Sequence, residues 1–312
     1  MKKFKFISIF ISCSLLFGVI CSYFIAIKGE KPLTNEARKM VSGNYVRISS
    51  GIIHYNWYGP EDGPVIVLVH GFSIPSVVFN KNIPGLTNAG FRVLTFDHFG
   101  RGFSDRPSSN YDDFFFDQEL IELLTALNIK HPINLLGYSL GGGIAGVFAS
   151  RHPEFISKLI LVAPVGYMPK PTGVDRLIHI PVVGEWMFGV FSKKRMLQGL
   201  REIHAQGIYD DEMFTAISKQ FEFKGWRTAF IATIRHFPFG SLGSDFKNVG
   251  RFQIPTLVIW GKEDDDVPTS GSSSLQKDIP GAQLKIIPNA GHLFISKHPE
   301  AANKLIIDFL KL

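Results

Sequence analysis

Cysteine is nearly missing from this chain: 312 residues hold two, Cys13 and Cys21, both inside the first apolar run. Everything after them therefore has no disulfide, no thiol nucleophile and no cysteine-based metal site. A cysteine-free domain tolerates either redox compartment, so the scarcity does not fix location. Also missing is a basic stripe interleaved with aromatic residues; the formal charge of +6 is scattered, and two of its lysines open the chain. Nucleic-acid binding is not expected. No histidine pair has the H-E-x-x-H spacing, and no G-x-G-x-x-G stands between a strand and a helix with an acid downstream. Neither a metal nor a cofactor is expected. Internal repeats and low-complexity tracts are absent as well.

One long hydrophobic run is present, and it comes first. Residues 6–27 carry no charge, behind a basic start at residues 1–5 that holds Lys2, Lys3 and Lys5. The length suits a bilayer-crossing helix, so a single-pass anchor is expected, with the catalytic domain outside the cytoplasm and membrane lipid as a partner of this segment. A cleaved signal peptide, giving a secreted or periplasmic protein, is the alternative. Phe24 spoils the cleavage site that would end at Ala26.

Residues 28–43 read as a polar connector. "YVRIS" and "IIHYNWYG" then alternate like half-exposed strands joined at Ser50-Gly51, an antiparallel edge. Four nearly continuous apolar runs follow at 65–70, 91–97, 133–138 and 158–164, the pattern of parallel strands covered on both faces. "DDFFFDQELIELLTALNI" has helical spacing, with Asp112 or Asp113 as its N-cap. From 165 to 250 the strand rhythm stops and aromatic, proline-broken helices take over. Core strands resume at "TLVIWG" and "QLKIIP", and an amphipathic helix closes the chain. The expected architecture is α/β, a mostly parallel central sheet with helices on both faces. Its core spans 44–164 and 251–312, with a helical cap over 165–250 inserted before the last strands.

Gly137-Tyr138-Ser139-Leu140-Gly141 fits G-x-S-x-G between a strand and a helix, where small residues allow a sharp turn that lifts the serine hydroxyl. A serine becomes a useful nucleophile when a base takes its proton and a third group orients that base. In chain order the candidates follow as an acid cluster, Glu263 to Asp266, after one strand, and His292 after the next. Both loops leave the carboxyl ends of strands, where open α/β sheets build their sites.

With His70-Gly71-Phe72-Ser73 after an early strand and Asp97 to Ser104 fitting D-x-x-G-x-G-x-S, the chain from about residue 44 onward resembles the α/β-hydrolase superfamily. The resemblance implies Ser139 as nucleophile, His292 as general base, and an oxyanion hole from the backbone N–H groups of Phe72 and Leu140. It selects Asp264 as the acid, three residues after the glycine of W-G-x-x-D, with Asp265 next. Relatives that open epoxides or remove halogen carry aspartate at the elbow, so a serine there implies acyl transfer to water, with a small-molecule ester as substrate. The aromatic cap and apolar start resemble the layout of membrane-anchored monoacylglycerol lipases. Cleavage of carbon–carbon bonds, lactone hydrolysis, perhydrolysis and a ligand-binding protein on the same fold remain open alternatives. His70 is expected to shape the oxyanion loop and His98 to belong to a turn.

Overall fold

The computed structural model describes residues 2–130 and 132–312; in its first helix the side chains of residues 2–9, 11, 12, 15 and 16 lie outside the described set. The side chains of the basic start at residues 1–5 are thus outside the described residues. Eight strands form one sheet: β1 Asn44–Ile48, β2 Gly51–Tyr58, β3 Val65–Val69, β4 Arg92–Phe96, β5 Ile133–Tyr138, β6 Ile156–Val162, β7 Thr256–Gly261 and β8 Gln283–Ile287. Their order is β1-β2-β4-β3-β5-β6-β7-β8. β1 and β2 form the antiparallel edge, β2 runs antiparallel to β4, and every pair from β4 to β8 is parallel. β5 and β7 are buried at every residue, which is why they read as unbroken apolar runs.

The helices are α1 Lys2–Ile27, α2 Asn35–Arg38, α3 Ile83–Asn88, α4 Asp113–Ala126, α5 Leu140–Arg151, α6 Val183–Ala205, α7 Asp211–Lys219, α8 Trp226–His236, α9 Gly243–Arg251, α10 Gly271–Asp278, α11 Phe294–Lys297 and α12 Pro299–Leu310. Asp112 caps α4, its carboxylate accepting from the Phe115 N–H at 2.8 Å, a bond worth about 1 kcal/mol. The stripe Phe116, Leu120, Leu123 and Leu124 of α4 joins α5 on one face of the sheet. On the other face α3 and α12 bury Leu86, Ile306 and Phe309. Each such side chain contributes roughly 1.5–3 kcal/mol of burial.

The stretch between β6 and β7 holds two kinds of helix. α6, α7 and α8 form a cluster of their own around Met213, Ile217, Phe221, Trp226 and Phe230, seated on Phe72, Ile74, Val77 and Leu293 of the core loops. α9 packs into the sheet layer instead, through Phe246 and Val249.

Among the described residues no helix is long and apolar enough to cross a membrane. The expected anchor over residues 6–27, the placement outside the cytoplasm and the lipid contact through this segment are corrected accordingly. The end of α1 is engaged by protein. Trp186 Nε1 donates to Ser22 Oγ at 2.9 Å, and Arg227 Nη2 donates to the Ala26 carbonyl at 3.2 Å. Just beyond, Glu30 pairs with Arg227 and accepts from Trp226 Nε1 at 3.0 Å, both partners on α8. Lys31 adds backbone bonds with Glu222 and Lys224. The C-terminal end of this helix is thus docked on protein through Ser22 and Ala26.

Candidate active site

Ser139 is the single residue between β5 and α5. Its backbone sits at φ 57°, ψ −119°, a conformation that persists only when the surroundings enforce it. Enforcement comes from crowding at two glycines: a Cβ on Gly137 would lie 2.2 Å from the Gly141 oxygen, and one on Gly141 would lie 2.1 Å from the Val69 oxygen. Backbone bonds finish the turn. Ser139 N–H donates to Val162 O at 2.9 Å, and Ser139 O accepts from Gly142 at 2.9 Å and Val165 at 3.1 Å. The hydroxyl is thereby held at the positive end of α5.

His292, on the loop after β8, brings Nε2 to 3.0 Å from Ser139 Oγ and Nδ1 to 2.8 Å from Asp264 Oδ2. Asp264 is buried on the loop after β7, and its Oδ1 accepts from the N–H groups of Asp266 at 3.0 Å and Val267 at 2.8 Å. A carboxylate so placed takes the Nδ1–H and leaves the Nε2 lone pair facing the serine hydroxyl. Tyr138 fixes the imidazole from below, its OH donating to His292 O at 3.0 Å and its ring lying 5.1 Å from the histidine ring. The other acids diverge: Asp265 and Asp266 are exposed, while Glu263 accepts from Ala290 N–H at 3.0 Å and ties the acid loop to the histidine loop.

Phe72 follows β3, the strand beside β5, so its loop faces Ser139 at the point where strand order reverses. Among the described residues the N–H groups of Phe72 and Leu140 donate to no protein acceptor. The loop is held from behind. His70, fully buried, donates Nδ1–H to Gly71 O at 2.8 Å and accepts the His98 N–H on Nε2 at 2.9 Å. Burial, helped by nearby His98, pushes its pKa down to about 3. His98 pairs with Glu119, which also accepts from the Phe99 N–H. Burial drives His98 down to about 3 and Glu119 up to about 8, so both are uncharged at neutral pH.

Ser139 and His292 open into a cavity of about 680 Å³. Its walls include Ile74, Val165, Met168, Ile203, Ile234, Phe237, Phe239 and Leu293, from the core loops and the cap. Basic side chains, Lys170, His179 and Arg235, also line it; Lys170 and His179 are exposed, and Arg235 is bound to Glu185 and to the carbonyls of Ile178 and Ile180. Among the described residues no group of three or more His, Cys, Asp or Glu side chains is placed to hold a metal ion.

A family model described as "alpha/beta hydrolase fold" matches residues 64–190, and one described as "TAP-like protein" matches residues 233–312. A Synechocystis protein provisionally named a non-heme chloroperoxidase is 30% identical over 273 residues, 80% of this chain and 92% of that protein. The chain belongs to the α/β-hydrolase superfamily. This α/β-hydrolase is also 28% identical, over 288 residues, to 2-hydroxy-6-oxononadienedioate/2-hydroxy-6-oxononatrienedioate hydrolase 1 of Pseudomonas putida, with 86% of this chain and 96% of that one covered. It is 26% identical over 286 residues to human monoacylglycerol lipase, covering 82% and 78% respectively. Three names for three chemistries mean that membership identifies a hydrolase and leaves the scissile bond to the site.

Two site-supporting residues escape the motif reading. Arg101 sits inside D-x-x-G-x-G-x-S, where the glycines draw attention away from it. Glu119 had a usable signal: it falls three residues after Phe116 and four before Leu123, on the buried stripe of α4.

Proposed function

We propose that this protein is a serine hydrolase of carboxylic esters with a neutral, apolar acyl group, monoacylglycerols among them. The observation that carries the reading is the hydrogen-bonded line Asp264–His292–Ser139 opening on an apolar cavity. Ser139 Oγ attacks the ester carbonyl as His292 Nε2 takes its proton, and Asp264 stabilises the imidazolium. The Phe72 and Leu140 N–H groups receive the oxyanion, a contribution of roughly 3 kcal/mol per donor. His292 then protonates the departing alcohol. Water, deprotonated by the same imidazole, cleaves the acyl-enzyme, releases the acid and restores Ser139.

The acyl preference is supported by what lines the cavity. Of its basic side chains Arg235 is already engaged and Lys170 and His179 are exposed, so a carboxylate carried deep among the apolar walls would lie unpaired, at a cost of several kcal/mol. A hydrocarbon chain meets Ile74, Val165, Phe237 and Phe239 without that penalty. Similarity to monoacylglycerol lipase points the same way.

The test is fluorophosphonate labelling with peptide mapping, followed by turnover on esters of graded acyl length. Label on Ser139 and multiple turnovers that Ser139→Ala abolishes are expected. Undiminished turnover in Ser139→Ala overturns the mechanism. One slow turnover with strong ligand stabilisation would make the protein a binder.

A further inference from the structure

Arg101 is a fully buried cation, and among the described residues no carboxylate lies within ion-pair distance of it. A buried charge without a counter-ion is retained only where its donors are needed. They go to three separate segments. Nε donates to Phe72 O at 3.1 Å, Nη1 to Phe99 O at 3.3 Å, and Nη2 to Thr233 Oγ1 of α8 at 2.9 Å. The guanidinium also lies over the rings of Phe72, at 5.2 Å, and Phe230 of α8, at 4.9 Å, which are themselves 4.8 Å apart in an edge-to-face pair.

We propose that Arg101 is a positioning residue that locks the Phe72 oxyanion donor to cap helix α8. The inference rests on the ester-hydrolase reading of the site. The carbonyls on either side of the donor are both held: Gly71 O accepts from His70, and Phe72 O accepts from Arg101. His70 thus holds the Gly71–Phe72 peptide unit that carries the donor N–H, and Arg101 holds the next unit, Phe72–Ser73, so the backbone on the far side of Phe72 is fixed and the Phe72 N–H keeps its aim. His70 ties the loop to the sheet layer, whereas Arg101 ties it to α8, and Gln220 Nε2, donating to Ser73 O at 2.8 Å, adds a second tie to the cap one residue further on. Thr233 is a committed partner, because its own hydroxyl proton goes to Ala229 O at 2.8 Å and leaves a lone pair for the guanidinium. Ile234, the next residue on α8, lines the cavity. Displacement of α8 by a substrate that does not fit therefore loosens the oxyanion donor, and a seated acyl chain holds it in place.

The experiment compares wild type with Arg101→Met, Arg101→Lys and Thr233→Val. It measures kcat and KM on a short neutral chromogenic ester, the inhibition constant of an alkyl boronic acid, and the unfolding midpoint. The boronate adduct on Ser139 places an oxygen at the oxyanion position, so its affinity reports the donor's aim independently of substrate binding. Arg101→Met is expected to lower kcat about 10- to 100-fold and weaken the boronate by a similar factor, with KM within about threefold. Arg101→Lys and Thr233→Val are expected to fall part of the way, and these two decide the matter if Arg101→Met does not fold. Wild-type kcat and boronate affinity in both folded variants would overturn the positioning role, as would losses that only track the folded fraction. A wild-type protein that neither turns over the ester nor binds the boronate sinks the ester-hydrolase reading, and this inference with it.

Discussion

Exchanging Glu119 for glutamine probes a carboxyl that burial keeps protonated behind the loop that carries Phe72. Burial raises its pKa from 4.5 to about 8 and lowers that of His98 to about 3, so at neutral pH an acid O–H donates to an uncharged imidazole Nδ1. The folded chain holds this proton more tightly than the unfolded chain does. The stability that Glu119 contributes is therefore full below pH 4.5 and declines as pH rises toward 8, while the lowered pKa of His98 acts in the opposite sense on the acid side, equally in wild type and variant. At about 1.4 kcal/mol per pKa unit, the shift corresponds to a loss of several kcal/mol across that window. Glutamine keeps both bonds, its carbonyl accepting from the Phe99 N–H and its amide donating to His98, and it has no proton to lose. In urea titrations from pH 5 to pH 8, the variant should lie within about 1 kcal/mol of wild type at the acid end. Its relative stability should then rise by up to about 1.4 kcal/mol per pH unit. Equal destabilisation at every pH would refute the reasoning, because it would mean that an ionised Glu119 accepts from His98 Nδ1–H and that glutamine's amide collides with that proton.

Three further outcomes are expected. Asp264→Asn should cut kcat on a chromogenic ester about 10⁴-fold by stabilising the wrong imidazole tautomer, whereas Asp265→Asn, at an exposed position, should stay within about twofold. Gly141→Ala forces a methyl against the Val69 carbonyl and should destabilise by more than about 3 kcal/mol. Gly199→Ala in α6, where a Cβ meets nothing within 4 Å, should stabilise by about 0.5–1 kcal/mol; thermal unfolding checks both. Glu30→Leu strands the buried Arg227 and should loosen α8 by roughly 3 kcal/mol, read as faster amide exchange in α8. Adding Arg227→Met should recover part of that loss.

The sheet was legible because its strands are short apolar runs whose chemistry is local: 65–70, 91–97, 133–138 and 158–164 correspond to β3, β4, β5 and β6 within two residues at either end. The strand ends pointed to Ser139, to the cluster Glu263 to Asp266 and to His292, the resemblance chose Asp264 from that cluster, and the fold brings Ser139, His292 and Asp264 into hydrogen-bond reach. The first helix was misread because hydropathy measures length and apolarity, and it is silent about a partner 164 residues away. Nothing near Ser22 announces Trp186, and nothing near Glu30 announces Arg227. Arg101 was hidden for a related reason. A charged residue in a glycine-rich loop reads as solvated, and only the arrival of α8 from the far side of the chain buries it.

β8 lies at the edge of the sheet, paired with β7 alone, and three of its five residues are exposed. The loop it feeds carries His292. Edge strands open at lower free energy than central ones, so the proposed proton acceptor rides on a part of the sheet that is among the first to fray, while Ser139 sits at the end of a strand clamped on both sides. Inactivation should therefore run ahead of unfolding. At denaturant concentrations where the protein still has its full circular-dichroism signal, a fraction of molecules will already have lost their base, and the onset of lost turnover will mark the detachment of one strand.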